Sequence, residues 1–118
     1  MASIPDFTKS ELWIVEKTLE ERYREPVVPE SVEIELRLNP LSSVMTPCPA
    51  LYWERGRAHF VIAKVGEQRY RCQFFYRVHQ QYGTGIEEYE DLTECVVTLL
   101  QVQADYELKQ AQERGSDH

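Results

Sequence analysis

Nothing in this chain of 118 residues approaches a membrane span. A span takes roughly 18 consecutive apolar residues, and the apolar runs here are as short as Leu12 to Val15. Met1-Ala2-Ser3 leads into no apolar stretch, so no secretory signal is expected. Cysteine is scarce: Cys48, Cys72 and Cys95 are odd in number and far apart, which excludes a disulfide framework and a CxxC metal clamp. A reducing, cytoplasmic setting is the expectation. Basic charge is in deficit, 13 Lys and Arg against 20 Asp and Glu for a net of −7. That balance argues against general nucleic-acid binding and against adhesion to anionic lipid. There is no internal repeat, no low-complexity tract, and no catalytic, metal or nucleotide motif. No cofactor is expected.

What is present suffices for a core. Apolar residues make up 42% of the chain and aromatics 11%, at a length that fits one domain. Disorder is expected only after Gln112, where residues 113–118 have nothing to bury.

Charge is sorted along the chain. From Ala50 to Val78 six basic side chains (Arg55, Arg57, Lys64, Arg69, Arg71, Arg77) meet two acids (Glu54, Glu67), a local net of +4 inside a chain of −7. A basic patch on an acidic body is the expected surface, and it would steer a partner of opposite sign.

Thr8-Lys9-Ser10-Glu11 has the capping-box spacing, with Phe7 and Leu12 at the staple positions around it. Leu12, Val15, Leu19 and Tyr23 then give one apolar helical stripe, and Pro26 ends the helix. Ser31 to Leu38 alternates strictly, a strand with one wet face. Asn39 to Pro49, with Pro40, Pro47 and Pro49, reads as a loop. Further strands are expected over Leu51–Glu54, His59–Val65 and Gln68–Val78, joined by tight turns at Arg55-Gly56-Arg57 and Gly66-Glu67. Tyr82-Gly83-Thr84-Gly85 reads as a flexible connector. A second helix starts between Ile86 and Leu92, with a cap at Asp91 and a stripe of Leu92, Val96, Leu99, Val102 and Tyr106. The predicted fold is therefore α+β: helix, four-stranded antiparallel meander, helix, in two layers and one domain.

Four constellations could carry chemistry. Cys48, held between prolines, could be a nucleophile if His59 or His79 approached it. No cation stands near it in sequence to lower its pKa, so it reads as a small packing residue. Cys72 and Cys95 fall on core stripes. Gly83-Thr84-Gly85 before a helix suggests a phosphate turn, but Glu87 and Glu88 follow it and the P-loop lysine is absent. The acids Glu87, Glu88, Glu90, Asp91 and Glu94 match no EF-hand spacing and read as a solvated helix start or a second docking patch, with no metal site expected.

The fourth strand is more informative. A period of two puts Tyr70, Cys72, Phe74, Tyr76 and Val78 on a core face, and Arg69, Arg71, Gln73, Phe75 and Arg77 on the other. Arginines around an aromatic ring are interface residue types. Such a face could also stack bases, but the acidic body opposes a long polyanion. The expected protein-binding residues are thus Arg69, Arg71, Phe75 and Arg77. The expected function is a small non-enzymatic protein-binding module, an assembly factor, adaptor or chaperone. Its expected partner is another protein with an acidic patch, and a second copy of the chain is also admissible. The alternative is a small-molecule binder or enzyme with a pocket between sheet and helices, lined by Trp53, Tyr70, Tyr76 and Cys48.

Overall fold

The capping box at Thr8 forms as its spacing requires. The Glu11 N–H donates to Thr8 Oγ1 at 3.1 Å, and the Thr8 N–H donates to Glu11 Oε1 at 2.7 Å. The computed structural model of the chain describes residues 4–77 and 80–115, so the expected roles of Val78, His79 and residues 116–118 lie outside the described residues. From the cap, α1 runs Lys9–Tyr23 and ends on Arg24 in the left-handed region. The strands β1 (Glu30–Leu36), β2 (Thr46–Arg55), β3 (Ala58–Gly66), β4 (Arg69–Arg77) and β5 (Gln80–Tyr82) follow, then α2 (Leu92–Gly115). The α+β class stands. The sheet is a five-stranded antiparallel meander in the order β1-β2-β3-β4-β5.

Three expectations are corrected. The meander has a fifth strand, because Gln80-Gln81-Tyr82 pairs with β4 although three residues with two glutamines carry no readable alternation. The proline stretch is strand, since β2 already begins at Thr46. Residues 46–49 pair only with β1, while the pairing of β2 with β3 is carried by Ala50–Arg55. Two prolines one residue apart can then turn both missing N–H groups to the unpaired side. Finally, α2 continues to Gly115, so residues 113–115 are helical where disorder was expected after Gln112, and Glu113 is a good helix former.

The β2–β3 connection is Gly56-Arg57, with positive φ at Gly56 (61°) and not at Arg57. That matches a two-residue II′-type hairpin, whose twist suits the flanking strands.

Both helices share one face of the sheet, here the front: α2 packs on β4, and α1 packs on α2. Under them lie Val15 and Leu19 of α1, Val96 and Leu99 of α2, and Leu51, Phe60, Ile62 and Phe74 of the strands, all buried. One polar group is sealed into this layer. Lys64 is 3% exposed; its Nζ donates to Glu11 Oε1 at 2.7 Å and to the Asp6 carbonyl at 3.1 Å. The Tyr70 hydroxyl donates to Glu11 Oε2. Burial would raise the Glu11 carboxyl pKa. The bonds from Lys64 and Tyr70 and the Thr8 N–H overcome this and hold it below the usual carboxylate value.

Candidate docking face

The opposite face of the sheet, the back, has its own apolar cluster. Cys48, Ala50, Ala63 and Val65 are buried there, with Val32, Ile34, Leu36, Leu38, Val61 and Ile4 packed around them. Among the described residues no side chain of either helix joins this cluster. Register explains it. Val32 stands opposite Ala50 and Ile34 opposite Cys48, while Ala50 stands opposite Ala63 and Ala63 opposite Arg71. The apolar stripe of β1 therefore lies on the same face as Arg71 of β4, away from the helices. The central strand β3 is apolar on both faces, as the unbroken run Phe60-Val61-Ile62-Ala63 announces. That run is the sequence signal for a second apolar face.

The back face has two parts. At one end Tyr52, His59 and Phe75 form an aromatic ladder across β2, β3 and β4. The His59 ring stacks on Phe75 with centroids 4.9 Å apart, and its Nδ1 lies 2.6 Å from the Tyr52 hydroxyl. Tyr52 also donates to Glu54 at 2.9 Å; burial and that carboxylate push its phenol up to about 12. At the other end small side chains form a floor. A groove of about 270 Å³ is lined by Ile34, Leu36, Val61 and Ala63 on one side, and by Arg71, Gln73 and Glu87 on the other.

The expected site residues are placed as follows. Phe75 is half-buried, with one ring face spent on His59. Arg69 is exposed but bonds both carboxylate oxygens of Glu88, at 2.7 and 2.8 Å. Arg71 lies 3.6 Å from Glu87 and 3.7 Å from Glu88. Arg77 is exposed, and among the described residues it has no acidic partner.

The free basic patch expected from the charge sorting is therefore not there. Lys64 is buried against Glu11, Arg55 pairs with Glu25, and Arg69 and Arg71 pair with Glu88 and Glu87. Only Arg57 and Arg77 of the six remain unpaired among the described residues. The acidic run before α2 is the internal counter-charge. Its segment is carried along the sheet edge by the Tyr70–Tyr89 bridge, and Asp91 caps the helix by accepting from the Glu94 N–H at 3.1 Å. Among the described residues no three His, Cys, Asp or Glu side chains cluster as a metal would require.

The cysteine constellation and the alternative pocket both come apart. Cys48 sits level with Ile34 at one end of the sheet, and His59 sits level with Glu54 and Phe75 at the other. Burial pushes the Cys48 thiol up. The Cys95 thiol is raised by a hydrogen bond with the free Cys72 thiol and by burial. Trp53 and Tyr70 are buried on the front face while Cys48 is on the back, so these residues line no common pocket. No helix of the described residues is long and apolar enough to cross a membrane. Comparison of the chain with protein-family models, curated proteins and solved structures gives no match. The geometry alone carries the functional reading.

Proposed function

We propose that the chain is a non-enzymatic protein-binding module of a reducing compartment, an adaptor, chaperone or assembly factor. It holds a segment of another protein against the back face of its sheet. One observation carries this reading: the central strands are apolar on both sides, yet the helices cover only the front. Antiparallel sheets commonly leave one face polar and wet; this one leaves an apolar groove rimmed by Arg71, Gln73 and Glu87. A guest with apolar side chains fits the floor between Ile34 and Val61. Acidic groups on the guest would meet Arg71 once it exchanges Glu87, its more exposed acid. Charge of this kind acts mainly on the on-rate and weakens with salt, while the apolar contacts set the off-rate.

The test is differential capture from the native host. Wild-type protein should retain a partner that Phe75→Ala, Arg71→Glu and Val61→Lys each release, with melting temperatures of the first two close to wild type. A partner retained equally by all three variants would place the docking site elsewhere.

A further inference from the structure

We infer that β1 is a self-association edge, through which two copies join antiparallel over Glu33–Asn39 about a two-fold axis at Leu36. This stands apart from the docking reading, because it concerns the edge of the sheet and not its back face.

The two edges of the sheet are managed differently. On one side β5 is three residues long, and the Tyr89 segment bridges Tyr70 beside it. On the other, β1 offers seven residues without a proline, alternating strictly from Ser31 to Leu36, and Arg37, Leu38 and Asn39 carry the chain on beyond the strand before Pro40. A long bare edge is a template for another strand.

The charges along β1 select the register. Glu33, Glu35 and Arg37 are exposed and form no ion pair among the described residues, unlike Arg69 and Arg71 on the far side of the sheet. With Leu36 opposite Leu36 of the second copy, Glu35 faces Arg37 of the second copy, twice by symmetry, and Ile34 faces its Leu38. An axis at Glu35 would set two carboxylates opposite each other. An axis at Ile34 would set Glu33 opposite Glu35. Directly opposed like charges destabilise an antiparallel pair, and opposed unlike charges stabilise it. Pro40, which lacks an N–H, falls just beyond the paired stretch.

Exposed apolar residues flank the same strand. Val28 is 75% exposed before it; Leu41 is 95% and Val44 68% exposed after it. Antiparallel pairing brings the start of β1 in one copy beside the end of β1 in the other. Val28 of each copy then approaches the Leu41–Val44 loop of its partner. An isologous contact of this kind closes as a dimer and leaves no open edge for a fibre.

Sedimentation equilibrium of the wild-type chain over a wide concentration range should show twice the chain mass. E35R alone and R37E alone should each raise the dimer dissociation constant about tenfold or more, and the double variant E35R/R37E should recover most of that loss. Both residues are exposed, so unchanged circular dichroism and melting temperature are expected for the dissociated singles. Leu36→Cys should self-cross-link on oxidation, and Val32→Cys should not. A chain that stays monomeric, single variants with no effect, or a double variant no better than the singles would each overturn the pairing. Capture of the partner undiminished in the docking-face variants, with an intact dimer, would count against the docking face alone.

Discussion

The front and back of the sheet solve the same problem in different ways. On the front, large side chains meet helices: Phe60, Phe74, Leu51 and Ile62 are fully buried against the stripes of α1 and α2. On the back, small side chains are shaded by taller neighbours of the sheet and by Ile4 and Leu38 beside it, and the cluster is built from Cys48, Ala50, Ala63 and Val65. Aromatic bulk gives area to bury, and burial at about 25 cal/mol per Å² is what docks a helix. The back lacks that bulk at its centre. A shallow trough therefore remains where the front has a packed layer. The difference teaches that close packing, and with it stability, is concentrated on one side of the sheet.

The comparison breaks most visibly at Lys64. Replacing it with methionine leaves Glu11 buried without its cation, and removing one partner of a buried pair costs about 3–5 kcal/mol. The pH profile adds a sharper readout. In the wild type the folded-state pKa of Glu11 lies below its unfolded value near 4.5. The stability it contributes is thus present above that pH and is lost as the pH falls through the folded value. In Lys64→Met burial acts with less opposition and the carboxyl pKa rises, so the acid-side loss should begin at a higher pH. Urea midpoints across an acid pH series measure both effects.

A pair of aliphatic truncations sharpens the contrast. Leu19→Ala, in the sealed front layer, should cost about 2–5 kcal/mol. Ile34→Ala, half-buried on the back face, should cost about 1 kcal/mol, since less surface is lost and no closed cavity forms. Equal shifts of the urea midpoint would show that the two faces are equally packed. The smallest expected effects lie at the ends of elements. Thr8→Ala should cost about 1 kcal/mol through the lost cap. Arg69→Ala should have the smallest effect on the urea midpoint, because its pair with Glu88 is solvent-exposed, and high salt should erase the difference.

Much of the fold was legible before any coordinates. The cap at Thr8, the turn at Gly56, the parity of β4 and the stripe of α2 are local patterns, and each formed where it was expected. Two elements were hidden. Gln80–Tyr82 becomes a strand only because β4 lies beside it. Thr46–Pro49 becomes a strand only because β1 supplies a partner on one side and β3 leaves the other free at the prolines. The candidate site was half legible. Phe75 and Arg71 share the back face as the period of two implies, Arg77 lies beyond a register shift beside Tyr106 and Glu107 of α2, and the free charge of the arginines was misjudged. The acids that neutralise Arg69 and Arg71 lie on a segment whose approach depends on the bridge between Tyr70 and Tyr89.

By itself the sequence determined the periodicities, and with them the two amphipathic helices, the antiparallel strands and the division of each strand into two faces. A period of two says that alternate side chains part company; it does not say which set meets the helices. That choice was tertiary. Cross-strand register tied the apolar stripe of β1 to Cys48 and Ala50 and turned it away from the helical layer. It also brought acids from distant segments onto the arginines and lysine of a stretch that alone would be strongly positive. Ion pairing and face assignment depend on distances between residues far apart in the chain, and only the assembled sheet fixes those distances.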